Sequence, residues 1–112
     1  MINYNQKKFR SVNNTENGEV SADTIFHYQQ EGHLVTATYT GGEILKGNII
    51  GKVDEQGIIE MRYQHLNQQM EFKTGQCIST PEMLPNGKIR LHEKWQWTSG
   101  DRSEGESVIE EV

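Results

Sequence analysis

One glutamate on an otherwise apolar strand face is the residue best placed to do chemistry. Residues 88–98 alternate between two faces, which predicts a strand whose inward face carries Ile89, Leu91, Glu93, Trp95 and Trp97. A carboxylate on such a face costs several kcal/mol unless it is paired, hydrogen-bonded or protonated. Three interpretations stay open: an ion pair with an internal arginine, a bulge after Leu91 that turns Glu93 outward, or a polar anchor for a ligand. A carboxyl whose pKa burial raises is also able to transfer a proton.

Pairing the strands through their turns predicts further aromatic and polar side chains on the same inward side. Aromatic walls with a few polar groups are typical of a small-molecule site. The alternative is that the aromatic rings simply fill the core, and that His65 is a hydrogen-bonded structural histidine near the rim. The ligand-binding set that we predict is Glu93, Trp95, Trp97, Tyr28, Tyr39, Tyr63, His65 and Gln76.

Other kinds of chemistry find little support in the sequence. The histidines at positions 27, 33, 65 and 92 lack the HxH or HExxH spacing of metal ligands. Cys77 is the only cysteine, and we interpret it as a structural or surface thiol. No glycine-rich loop opens a helix to hold phosphate, and no serine nucleophile elbow is present. We therefore predict no catalytic residue, no metal and no cofactor.

Length and composition narrow the class of protein. The 112 residues predict one domain spanning 1–112, and the 33% hydrophobic content is lean for a solid core. Lys+Arg 11 against Asp+Glu 16 gives a net charge of −5, which predicts neither a nucleic-acid nor a membrane partner. Without an export signal at the start, and with a single cysteine, the expected location is the cytoplasm.

Turn residues divide the chain into about eight short strands. The turns are expected at 31–32, 40–42, 54–57, 67–68 and 84–87. No window sustains apolar residues at helical spacing, so no long helix is expected. The sequence therefore predicts an all-β fold, a single antiparallel up-and-down meander of about eight strands that closes into a barrel. A two-sheet sandwich is the alternative.

The first turns also predict how the early strands pair. A two-residue turn at Glu31-Gly32 sets Tyr28 opposite Val35. A three-residue glycine loop then sets Ala37 opposite Leu45, which turns Leu45 inward.

The later turns predict the remaining pairs. The turn at 54–57 sets Val53 opposite Ile59, and a two-residue turn at 67–68 sets Ile59 opposite Gln76. Proline cannot donate to a strand ladder, so Thr80-Pro81 is expected to end the sixth strand. The segment 104–111 is the last predicted strand.

Two stretches carry a family resemblance. Tyr39-Thr40-Gly41-Gly42 and the run Asn-Gly-Lys-Ile-Arg-Leu-His-Glu-Lys-Trp-Gln-Trp-Thr-Ser-Gly-Asp at 86–101 resemble a small bacterial family whose members often carry the label N-acetylglutamate synthase. The label implies an acetyl-coenzyme A loop, Arg/Gln-x-x-Gly-x-Gly/Ala, that this chain lacks, so no residue is carried over. In architecture the predicted barrel resembles the calycins, which include avidins, lipocalins and fatty-acid-binding proteins. The lipocalin Gly-x-Trp near the start is absent, so this resemblance of shape transfers no binding residue.

Three hypotheses of function follow. The leading one is a non-catalytic, calycin-like barrel that binds a small, partly apolar ligand of unknown identity, with Glu93 as polar anchor. The second is an enzyme that uses Glu93 and His65 as an acid–base pair, in the extreme case the synthase of the label. The third is a structural or interaction module that forms a homodimer through one face of the barrel.

Overall fold

The fold is an eight-stranded antiparallel barrel, seen in a computed structural model that describes residues 2–112. The strands follow each other as a meander, and the first pairs with the last, so the sheet closes. The predicted all-β meander is confirmed. Eight strands enclose an interior just wide enough to be filled by side chains or to hold one small ligand. The strands are β1 (Lys7–Asn14), β2 (Ile25–Glu31), β3 (Leu34–Gly41), β4 (Ile44–Val53), β5 (Ile59–Asn67), β6 (Phe72–Met83), β7 (Ile89–Trp97) and β8 (Glu104–Glu111).

The barrel has two ends, which differ in how they are covered. The packed end consists of residues 2–6 and the turns at 32–33, 54–58 and 84–88. The loop end consists of the β1–β2 loop (residues 15–24) and the connections at 42–43, 68–71 and 98–103. Each strand runs from one end to the other, so its inward residues contribute to both.

Aromatic rings close the packed end. Tyr4, Phe9 and Tyr28 are fully buried, and the ring centroids of Phe9 and Tyr28 lie 4.9 Å apart. Backbone hydrogen bonds hold the entering chain there, because the amide of Gln6 donates to the carbonyl of Tyr28 at 2.9 Å. Burial of three large aromatic side chains makes this end a conventional hydrophobic core.

The turn between β5 and β6 differs from the predicted one and changes the orientation of β6. The turn extends from Asn67 to Glu71 and is longer than the predicted two residues. Within it, Met70 takes the left-handed conformation, at φ 61, that glycine usually adopts. Ile59 therefore lies opposite Ser79 instead of Gln76. The shift of three residues is odd, so it exchanges the two faces of the strand.

Gln76 is consequently on the outside of the barrel, and its predicted inward orientation is wrong. Its amide donates to the Gln96 side chain on the neighbouring strand, at 3.4 Å. Thr74, also predicted to face inward, hydrogen-bonds to Thr98 on the outer face. The inward positions of β6 belong to Gly75, Cys77 and Ser79.

The other register errors preserve the faces, except at one bulge. Tyr28 lies opposite Ala37 instead of Val35, and Ala37 lies opposite Ile49 instead of Leu45. Both shifts are even, so the inward set survives. Leu45 is the exception, because a bulge between Ile44 and Lys46 turns it outward.

Two predictions about strand ends have opposite outcomes. The pairing of Val53 with Ile59 is confirmed. Thr80-Pro81 does not end β6, which continues to Met83. β5 stops pairing at Ser79, so Pro81 has a neighbouring strand on one side only, where a missing N–H is tolerated.

Candidate ligand-binding site

A cavity of about 50 Å³ lies at the loop end of the barrel. Six of the eight predicted ligand-binding residues line it. They are Tyr39, Tyr63, His65, Glu93, Trp95 and Trp97. Tyr28 lies outside this lining, among the packed-end aromatic rings, and Gln76 is on the outer surface. Asn14, Glu19, Cys77 and Ser107, none of them predicted, also contribute to the wall.

Two serines hold the carboxyl group of Glu93 inside the barrel. Ser79 on β6 and Ser107 on β8 lie directly opposite Glu93 in the two flanking registers. The hydroxyl of Ser79 donates to Oε2 at 2.6 Å, and that of Ser107 donates to Oε1 at 3.1 Å. Burial raises the pKa of Glu93 above its ordinary value, and these two hydrogen bonds oppose the shift. The carboxyl group is thus an oriented hydrogen-bond acceptor in the cavity wall.

This geometry decides between the structural interpretations of Glu93. The register of β7 is continuous past Leu91 on both sides, which rules out the alternative of a bulge that turns Glu93 outward. No arginine or lysine among residues 2–112 forms an ion pair with Glu93, which rules out the alternative of an internal pair. The role of ligand anchor stays a prediction.

Two buried groups beside Glu93, the hydroxyl of Tyr28 and the thiol of Cys77, are uncharged. Within residues 2–112, the Tyr28 hydroxyl is the buried side-chain polar atom that has no hydrogen-bond partner. Burial raises its pKa well above the usual value, and the nearby Glu93 carboxyl raises it further. The same two causes raise the pKa of the Cys77 thiol. Cys77 is therefore a protonated, buried thiol, in agreement with its structural interpretation.

Aromatic rings form the side walls of the cavity. The ring centroids of Trp95 and Trp97 are 5.4 Å apart, and Tyr63 lies edge-on to Trp97 at 6.0 Å. Glycines on neighbouring strands make room for these rings. A Cβ atom at Gly75 would lie 2.2 Å from the Tyr63 ring, and one at Gly105 would lie 2.4 Å from the Trp95 ring. The rings therefore lie across the strands, against bare backbone.

The β1–β2 loop covers the mouth of the cavity and is linked to both tryptophans, directly to Trp97 and through Asn14 to Trp95. The indole N–H of Trp95 donates to Oδ1 of Asn14 at 3.2 Å, at the point where β1 ends. The indole N–H of Trp97 donates to the carbonyl of Asn17 at 3.1 Å. The amide of Asn14 in turn donates to the carbonyl of Val20 at 2.9 Å. The Trp97 indole therefore uses its single donor to hold the loop directly, and the Trp95 indole holds it through Asn14.

His65 joins a cavity tyrosine to this loop. Its Nε2 lies 2.8 Å from Oε1 of Glu19, and its Nδ1 lies 2.9 Å from the hydroxyl of Tyr39. A carboxylate only accepts, so Nε2 carries the hydrogen and Nδ1 accepts from Tyr39. Burial lowers the pKa of His65, and its contact with Glu19 opposes that effect. A neutral imidazole with its hydrogen on Nε2 fits both contacts, with the Tyr39 hydrogen directed at Nδ1 and not at the more distant Gln64 carbonyl, 3.3 Å away.

Glu19 is the site residue that sequence reasoning missed most completely. Its carboxylate also accepts from the Asn67 amide at 3.2 Å and lies 4.0 Å from Nζ of Lys73. Glu19 stands at the end of a polar, turn-rich run that predicts only a loop. Nothing local in such a run indicates a contact with a histidine on β5. Ser79, by contrast, follows from the alternation in β6 once the register is known.

Two further findings for residues 2–112 concern metal binding and membrane-spanning helices. No group of three or more His, Cys, Asp or Glu side chains among them is arranged to hold a metal ion. No helix in this part of the chain is long and apolar enough to cross a membrane.

Comparison with known proteins gives one family match. The family model described as avidin-like protein matches residues 2–112, which is nearly the whole chain. Searches of curated proteins and of solved structures return no match. The matching family agrees with the closed eight-stranded barrel and with the calycin-like shape expected from the sequence.

Proposed function

The chain belongs to the avidin-like family, and from this premise we propose that it binds a small molecule, without catalysis, at the loop end of its barrel. The observation that carries the proposal is the convergence of Glu93, Trp95 and Trp97 on one cavity wall. A carboxyl group kept inside a barrel by two serines is costly for stability, and a ligand that uses it supplies a reason for its presence.

The free hydrogen-bonding capacity of the cavity indicates the ligand's chemistry. Each carboxylate oxygen of Glu93 receives one serine hydroxyl and has a further lone pair. The indole donors of Trp95 and Trp97 are already used, by Asn14 at the end of β1 and by Asn17 of the loop. The preferred ligand therefore brings its own donors, as an amide, urea or amine N–H does, on a ring or chain apolar enough to lie against the tryptophans.

Binding requires the β1–β2 loop to move. Ligand pockets for drug-sized molecules measure roughly 300–1,000 Å³, whereas the cavity under the loop measures about 50 Å³. The loop is held to the wall through polar contacts with Asn14, with the Trp97 indole and at Glu19. Its one apolar side chain that packs against the core is the partly buried Val20. Such a segment opens at small cost compared with the strands.

Tryptophan fluorescence tests the proposal, because both tryptophans of the chain line the cavity. Purified protein is titrated with biotin, the ligand that the family suggests, and with a library of N–H-bearing metabolites. We expect at least one compound to produce a saturable change in the wild type. Glu93→Ala should weaken this response at least tenfold, and Gln76→Ala, on the outer face, should leave it unchanged. A library without any saturable response contradicts the proposal.

The remaining hypotheses stay predictions. His65 and Glu93 both line the cavity, but they hydrogen-bond to separate partners, so the geometry gives the acid–base pair no specific support. No residue of this chain matches the acetyl-coenzyme A loop that the synthase label implies. Sedimentation would measure the predicted homodimer, and cell fractionation the cytoplasmic location.

A further inference from the structure

The carboxylate of Glu19 sits in a binding site that three other side chains build. It receives the Nε2–H of His65 at 2.8 Å and the amide of Asn67 at 3.2 Å and 3.4 Å, and Nζ of Lys73 lies 4.0 Å away. His65 and Asn67 are buried side chains, with 3% and 0% of their surface exposed. Glu19 itself arrives on the β1–β2 loop, which is not part of the barrel wall.

Two side chains of this site are held in place by contacts that do not involve Glu19. The Tyr39 hydroxyl lies 2.9 Å from Nδ1 of His65 and so fixes the position of the imidazole ring. Oδ1 of Asn67 accepts the backbone amides of Gln69 and Glu71, at 3.1 Å and 2.9 Å, which turns its NH₂ group toward the site. One hydrogen of that group has a second acceptor in the Glu71 carboxylate at 3.2 Å. Both side chains therefore stay in place when the loop leaves, with Nε2 of His65 and the NH₂ group of Asn67 directed at the space that the Glu19 carboxylate occupied.

We propose that His65, Asn67 and Lys73 form a carboxylate-binding subsite, which Glu19 occupies as a built-in ligand until a carboxylic acid replaces it. The inference rests on the proposed function, because the carboxylic acid would be part of the small molecule that enters when the loop opens. Lys73 suits this role, since its ammonium also lies 6.0 Å from the centroid of the Trp97 ring and so joins the subsite to the cavity. The ligand class is thus an apolar molecule that carries a carboxylate.

Chemical rescue tests the subsite with a probe that needs no knowledge of the natural ligand. Glu19→Ala removes the built-in carboxylate and should lower the melting temperature by roughly 4 °C. Propionate should then restore at least half of that loss in a saturable manner and shift the tryptophan fluorescence. Propionamide, its neutral counterpart, and sodium chloride at equal ionic strength should restore none of it. Adding Lys73→Ala should raise the half-saturating propionate concentration roughly two- to fivefold.

Matched variants make each outcome decisive. Glu16→Ala removes an exposed glutamate from the same loop and should respond to propionate no more than the wild type. If Glu19→Ala does not fold, Glu19→Gln keeps the shape and loses the charge, and propionate should shift its tryptophan fluorescence at a lower concentration than in the wild type. The proposal is overturned if neither Glu19 variant responds more than Glu16→Ala, or if propionamide acts equally well. That result leaves the library titration unaffected, so the two proposals fail separately.

Discussion

The two ends of the barrel are built by the same eight strands but filled on different principles. At the packed end, Tyr4, Phe9, Leu91 and Ile109 are completely buried. At the loop end, aromatic rings share the space with carboxyl, imidazole and hydroxyl groups, and a cavity of about 50 Å³ remains. Within β7 the change occurs at Glu93, between the aliphatic residues of one half and the tryptophans of the other.

The difference teaches which part of the molecule is free to move. Apolar packing at the packed end needs no particular partner, only volume and shape. The loop end depends on pairs of polar groups, which join the barrel to the β1–β2 loop at Asn17, Glu19 and Val20. Breaking those pairs exposes groups that water satisfies, so opening this end costs far less than opening the other.

The largest expected effect comes from the packed end. Phe9→Ala removes a fully buried ring and should lower the free energy of unfolding by about 3–5 kcal/mol, measured by urea denaturation. Glu19→Ala at the loop end should cost about 1–3 kcal/mol. Equal losses would erase the distinction between the two ends.

A smaller effect is expected at the boundary between them. Ser79→Ala leaves Glu93 with one hydroxyl donor and should cost about 1–3 kcal/mol at neutral pH. In a Glu93→Ala background the same substitution should cost much less, because no carboxyl remains to be satisfied. A double-mutant cycle from denaturation data measures the coupling, and a value near zero would show that the serine does not stabilise the carboxyl group.

The pH dependence of stability sharpens the same point and should be the smallest effect. Burial raises the pKa of Glu93 in the folded state above its ordinary value of 4.5. The neutral carboxyl therefore contributes its full stability below pH 4.5, and this contribution is lost as pH rises through the folded-state pKa. Glu93→Gln should gain stability relative to the wild type over that rise and then stay level. A difference that does not change between pH 4 and pH 8 would contradict a raised pKa.

Strand faces could be predicted from the sequence where alternation is local and uninterrupted. Every inward residue predicted on β7 is inward, including Glu93, because the pattern of that strand needs no information about its partners. The number of strands follows from the turn residues for the same reason. The closed barrel then follows, because the first and last strands of an open eight-stranded meander would have unpaired edges.

The prediction of strand faces and contacts fails where the residue types in a turn do not indicate its length, or where two contacting residues are distant in sequence. Met70 takes a left-handed conformation, which the sequence does not indicate because the residue is not a glycine. The predicted turn is therefore too short, and it places Gln76 in the interior position that Ser79 occupies. Glu19 lies 46 residues from His65 in the chain. A polar loop has no periodicity that indicates where its side chains will bind. The contact between Glu19 and His65 is therefore evident only in the tertiary structure.

The indole N–H signals of the two tryptophans test the central claim most directly. In a ¹⁵N-resolved NMR titration with a library compound that binds, both should shift together and saturably. The Trp97 indole binds the loop at Asn17, and the Trp95 indole binds Asn14, whose side chain holds the loop at Val20. Backbone amides around Phe9, at the packed end, should not move. A ligand that binds while both indole signals stay in place, or that perturbs the packed end instead, would contradict a binding site at the loop end.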